Sequence, residues 1–189
     1  MHQAHLAGSE TRLGRLQARR GNFAEAFAAL DQGLARCQKL VGAYPENPIY
    51  TNDLGCSHAD RGGAHVRAGH LAEAAADLRR ALGQWDKLEA PLAQTRFERA
   101  RALALLAGLG RDARSGVTAS AAAAFADQAV AALRDAVQAG WAQRDELKEP
   151  DFDSLRRRDD FQKLLKELEA KASDTSRPMP EAPGGPQKK

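Results

Sequence analysis

The sequence predicts an all-α protein: a right-handed α-solenoid of about three helical hairpins with a C-terminal capping helix. Three observations lead there. Hydrophobic residues make up 43% of the 189 positions and aromatics only 5%, and the apolar set is dominated by alanine and leucine, both strong helix formers. One stretch matches another without gaps at a constant shift, the mark of a duplicated structural unit. Glycine and proline fall between the periodic stretches, where helices need stops and starts.

The self-match sets residues 20–40 (RGNFAEAFAALDQGLARCQKL) over residues 68–88 (AGHLAEAAADLRRALGQWDKL). Gly21 and Gly69 differ by 48, and so do Ala24/Ala72, Glu25/Glu73, Ala26/Ala74, Leu30/Leu78, Leu34/Leu82, Lys39/Lys87 and Leu40/Leu88. Gly14 and Gly62 continue the match upstream. Each unit reads as two helices. The first helices span about Leu6–Arg20 and Ile49–Ala68, and Gly21 and Gly69 then supply the left-handed residue after a helix end. Asn22 with Glu25 reads as a capping box for the second helix, and His70 makes a weaker cap in the second copy. Phe23, Ala26, Phe27, Leu30, Leu34 and Leu40 then form one apolar face, echoed by Leu71, Ala74, Leu78, Leu82 and Trp85.

Between the units, Pro45 stops one helix while Asn47 and Pro48 cap and open the next; Pro91 does the latter for the third unit. That unit is less regular. A helix Leu92–Leu109 carries Phe97, Leu103, Leu105 and Leu106; a loop Gly110–Val117 comes next; a helix Thr118–Ala139 carries Phe125, Ala129, Leu133, Ala136 and Val137 and ends at Gly140. The repeat units are thus 6–43, 48–89 and 92–139, with a cap at 142–172, one domain over 1–172, and a tail at 173–189. The tail holds Pro178, Pro180, Pro183, Pro186, Gly184 and Gly185 with too few apolar residues to pack, so it is expected to be disordered.

The small and apolar positions Leu13-Gly14, Gly21, Ala26, Leu30 and their echo Gly62, Gly69, Ala74, Leu78, Ala81 resemble the tetratricopeptide repeat, over about residues 6–139. The period of 48 exceeds the usual ~34, and the early aromatic of the first helix is absent. Three further stretches stand at the C-terminal side: Ala136-Val137-Gln138-Ala139-Gly140-Trp141, Glu149-Pro150-Asp151-Phe152-Asp153-Ser154-Leu155-Arg156, and Asp160-Phe161-Gln162-Lys163-Leu164-Leu165. Together they are similar to the closing segment of repeat arrays attached to bacterial serine/threonine protein kinases. No glycine-rich phosphate loop, His-Arg-Asp or Asp-Phe-Gly motif of a kinase domain is present. Physically, Phe152, Leu155, Phe161, Leu164, Leu165 and Leu168 can cover the last unit, with Asp159 and Gln162 capping the final helix. The first unit has no comparable cover, so its apolar edge is expected to meet a partner, a second copy or an upstream repeat.

Chemistry is sparse. His58 and His65 lie seven apart on one helix, not at the spacing of four used by zinc helices, and Cys56 faces elsewhere, so no metal or other cofactor is expected. Cys37 and Cys56 read as reduced core thiols. Ser57 next to His58 is adjacency in sequence only, and no Gly-x-Ser-x-Gly occurs, so the chain is not expected to be an enzyme. A net charge of +3 is a mild excess, and the basic run Arg156-Arg157-Arg158 is surrounded by Asp151, Asp153, Asp159 and Asp160, which argues against nucleic acid. Met1–Glu10 has no signal-peptide core and no stretch reaches a membrane span, so a cytoplasmic location is expected.

The resemblance implies a function. In such repeats the first helix of each pair builds a concave wall, and the matching positions here are Thr11, Arg15 and Arg19, then Ala59, Gly63 and Arg67, then Arg101. The family's Lys and Asn carboxylate clamp is not reproduced. Arginine forks pair with carboxylates, so the expected partner is a protein or peptide of acidic character bound by a non-catalytic scaffold. The alternatives are a regulatory fragment related to a repeat-bearing kinase, and a homo-oligomeric structural protein joined through the first unit's edge.

Overall fold

The computed structural model describes residues 2–175, and all regular structure among them is helical. Three helix pairs come first: α1 (His2–Arg19) with α2 (Phe23–Ala43), α3 (Pro48–Ala68) with α4 (Leu71–Trp85), and α5 (Ala93–Leu109) with α6 (Ala119–Gln138). Short 3-10 turns at Arg144–Lys148 and Pro150–Phe152 lead to α7 (Asp159–Thr175). Each pair packs on itself and on its neighbour in order, and α1 touches α3 as α3 touches α5. The first helix of each pair therefore shares a side with the next. The all-helical expectation holds. Helix α7 runs three residues past the expected end of the cap, and the remainder of the tail lies outside the described residues.

The duplicated sequence makes duplicated contacts. A Cβ at Gly14 would sit 2.5 Å from Leu30 Cγ and 2.9 Å from the Ala26 carbonyl, and one at Gly62 would sit 2.8 Å from Leu78 Cγ. Glycine is thus the only residue that lets α1 approach α2, and α3 approach α4, this closely. Ala26 and Ala74, and Leu30 and Leu78, are all fully buried beside those contacts. Gly21 (φ 82°) and Gly69 (φ 78°) both hold the left-handed conformation that turns one helix back on the next.

Two capping expectations are corrected. Asn22 stands at the N-cap position of α2 but makes no side-chain cap; its amide donates to Gln17 Oε1 at 2.9 Å, back across the turn rather than forward into α2. Asp159 lies inside α7, so it cannot precede it as a cap; Asp160 instead accepts from Phe161 N, and Gln162 donates back to the Arg156 carbonyl. Asn47 does cap α3, accepting from Ile49 N at 3.0 Å with Pro48 in the first turn. For α5 the cap is Leu92, one residue beyond Pro91.

The largest core lies at the C-terminal end. Helix α5 is buried around nearly its whole circumference, Glu98 and Arg101 included, because neighbours enclose it. Phe97, Leu103, Val130 and Leu133 meet Trp141, Leu147, Phe152, Leu155, Phe161, Leu164 and Leu168 from the closing segment and α7. Trp141 stacks on Phe97 with centroids 4.3 Å apart. Each such side chain contributes roughly 1.5–3 kcal/mol on burial, so the closing segment is anchored chiefly by its apolar residues.

Candidate functional site: a wall of arginines on α1, α3 and α5

Of the residues expected to line a groove, Arg15, Ala59, Gly63, Arg67 and Arg101 come together where α1, α3 and α5 lie side by side. Their charges are already engaged within the chain. Arg101 is buried; its Nη2 lies 2.6 Å from Asp60 Oδ1 and 2.9 Å from Glu98 Oε2, and its Nε is 4.0 Å from Asp151 Oδ2. Arg67 donates through Nη1 to the Gly63 carbonyl at 3.2 Å and through Nη2 to Asp151 Oδ1 at 2.6 Å. Arg19, half-exposed, reaches Glu149 Oε2 at 3.2 Å. Arg15 is the least engaged, 3.8 Å from Asp60 and 4.0 Å from Glu98. Thr11 and Ala59 are buried; the Thr11 hydroxyl donates to the Ala7 carbonyl at 2.9 Å and lies 3.3 Å from the Ser57 hydroxyl. Thr11 is therefore part of the packing between α1 and α3.

Electrostatics derive from the geometry. Burial alone would push the Arg101 pKa down, but Glu98, Asp60 and Asp151 outweigh it and hold the guanidinium charged. Burial and the nearby Glu98 carboxylate raise the pKa of Glu146, while Arg15, Arg101 and Arg19 draw it down. The cluster closes on itself: the space between Arg15, Asp60, Arg67, Arg101 and Asp151 is about 10 Å³, room for no more than roughly one water.

The closing segment supplies the outer half of these pairs in a definite order. Glu149 meets Arg19 on α1, Asp151 meets Arg67 on α3, and the Ser154 hydroxyl donates to the Ala104 carbonyl on α5 at 2.7 Å. Residues 149–154, a 3-10 turn at Pro150–Phe152 and the turn after it, thus meet α1, α3 and α5 one after another.

Helical register places the arginines on the wall but does not name their partners. Asp60, one residue past the expected wall position Ala59, and Glu98, three before Arg101 on α5, carry a local signal. Asp151 reads from the sequence only as part of the cap, and nothing in its spacing links it to Arg67, 84 residues away.

A second polar cluster ties the first pair to the second. Buried Asp77 accepts from Arg61 Nε at 2.7 Å and Nη2 at 2.9 Å, lies 3.2 Å from His58 Nδ1, and has His65 Nε2 at 3.8 Å. Arg61 also reaches Asp31 on α2 at 2.7 Å. The two histidines considered for a metal are thus turned onto one carboxylate, and among the described residues no group of three or more His, Cys, Asp or Glu is placed to hold a metal ion. Cys37 and Cys56 are free thiols. Among the described residues no helix is long and apolar enough to cross a membrane.

A larger cleft of about 740 Å³ opens elsewhere, between the two linkers joining the pairs. Pro45, Ile49, Leu88, Pro91 and Leu92 line it together with the charged Glu46, Lys87 and Glu89. No family model matches the chain, and neither curated proteins nor solved structures provide a match.

Proposed function

We propose that the chain is a non-catalytic protein-interaction scaffold. Its three pairs form a right-handed solenoid of tetratricopeptide-like hairpins, and α1, α3 and α5 present an inner wall to an extended acidic segment of a partner protein. One observation carries the reading: Arg19, Arg67 and the α5 backbone at Ala104 already receive Glu149, Asp151 and Ser154, in that order, from one short 3-10 and turn segment. A wall with that chemistry binds through charge-assisted forks, and its rigidity keeps the ordering cost low.

The test is affinity capture from the cell of origin, then hydrogen exchange on the purified complex. A specific partner is expected, with protection gained on α1, α3 and α5, and Arg15→Ala with Arg19→Ala is expected to weaken it about tenfold. Protection confined to α2, α4 and α6 would reject the groove. Capture of no partner would reject the scaffold.

The exposure of Leu13 (51%) and Leu16 (46%) on α1 favours a second reading, self-association through the first pair. Light scattering at rising concentration separates the two: a dimer that Leu13→Lys dissolves supports self-association, and a monomer throughout rejects it.

A further inference from the structure

The arginine wall is occupied, and its occupant belongs to the connection between α6 and α7 rather than to either α-helix. Between α6 and α7 the backbone holds only two 3-10 turns, and all four residues from Ala142 to Asp145 are exposed. Two kinds of contact hold residues 149–154. The polar ones are Glu149 with Arg19, Asp151 with Arg67 and Arg101, and Ser154 with Ala104. The apolar ones are Phe152 and Leu155, both fully buried against the third pair.

We infer that Glu149–Ser154 is an intramolecular occupant of the groove, and that an outside acidic segment binds this wall only by displacing it. The inference rests on the scaffold reading and adds its regulation and the chemistry of its partner. A displacing segment must match what it replaces: two carboxylates two positions apart, succeeded at once by an aromatic residue for the pocket Phe152 fills. A tethered occupant acts at an effective concentration on the order of millimolar, so a free peptide of equal intrinsic affinity competes poorly. Its apparent affinity is its intrinsic affinity scaled by the fraction of molecules with the groove open. Weakening the tethered copy raises that fraction and tightens binding in trans without altering the wall.

The probe is a fluorescent synthetic peptide copying residues 147–156, read by anisotropy against the full chain. Glu149→Gln with Asp151→Asn is expected to bind it at least tenfold tighter than wild type. Adding Arg67→Ala should remove the gain. In the double variant, amides 149–155 are expected to exchange faster than in wild type and to slow no further when α1, α3 and α5 become protected by peptide.

A folded double variant that binds no tighter than wild type overturns the inference. Where that variant fails to show wild-type helix content, Glu149→Gln alone serves, because Glu149 is half-exposed; a gain of about threefold is expected and no gain overturns the inference. Concentration-dependent doubling of mass in the variant would also overturn it, since the occupant would then be a second copy's closing segment. A natural partner that protects α1, α3 and α5 of wild type while amides 149–155 stay protected would sink this inference and leave the scaffold reading intact. Peptide binding by the opened groove with no natural partner captured would do the reverse.

Discussion

Arg101 holds the charge cluster together, since three buried or half-buried carboxylates approach one side chain that is itself buried. Removing one partner of a buried ionic set leaves uncompensated charge, which costs about 3–5 kcal/mol, far more than the set adds when intact. Arg101→Met is therefore expected to lower stability by about that amount in urea unfolding, whereas Arg19→Ala, which removes a half-exposed pair, should cost less than about 1 kcal/mol. The glycines make a paired test. Gly14→Ala drives a methyl against Leu30 and the Ala26 carbonyl and should destabilise by about 1–3 kcal/mol. Gly83 lies in α4 with open space where a Cβ would go, so Gly83→Ala should stabilise by about 0.5–1 kcal/mol. Thermal melts of the two variants should move in opposite directions.

At the scale of the element, α3 shows how one helix carries two separate duties. Its Asp60, Gly63 and Arg67 join the wall, while His58, Arg61 and His65 turn to Asp77 on α4. Burial pulls the His65 pKa below its ordinary value; Asp77 opposes, and Arg61 and His70 add to the depression. His70 Nδ1 lies 3.3 Å from His65 Nδ1, so one of the two must accept and stay unprotonated there. The folded chain thus takes up this proton less readily than the unfolded one. Its contribution is fully present above about pH 6.5 and is lost as pH falls below that value. The urea midpoint should fall between about pH 7.5 and 5.5, and fall less in His65→Gln. Asp77 adds nothing to that window, because the contribution of its depressed pKa is lost only as pH falls below about 3.8. The closing segment divides its holding forces differently. Phe152→Ala should cost about 3–5 kcal/mol, several times the cost of Arg19→Ala, since the aromatic anchor is buried and the outer ion pair is wet.

For the whole molecule, the pairs and the closing segment depend on one another across long sequence distances. The segment contacts α1 through Glu149, α3 through Asp151 and α5 through Ser154, so it braces all three pairs at once. Truncation after Gly140 is expected to expose Phe97, Val130 and Leu133 and to produce a chain that binds a hydrophobic dye and melts without a sharp transition.

The helix pairs were legible in the residues. Gly14, Ala26 and Leu30, repeated as Gly62, Ala74 and Leu78, encode close helix approach locally, and Gly21 and Gly69 encode the turn. The periodic apolar faces likewise name the core, because burial is a property each helix carries on its own surface. The wall arginines were legible too, as positions on the first helices. Their neutralisation was not. Which carboxylate meets Arg67 or Arg19 depends on where a segment without helical period crosses the stack, and a pairing over 84 residues leaves no trace in spacing. The Asn22 cap failed for a related reason, since the Asn22 Nδ2 donates to Gln17 across the turn and its side chain makes no bond to the first turn of α2. Sequence alone determined the helices, their pairing and the charge on one wall, through local periodicity and steric demands. Only tertiary structure decided that Arg19 and Arg67 pair with Glu149 and Asp151 of the same chain, because ion pairing between distant segments arises from geometry in space.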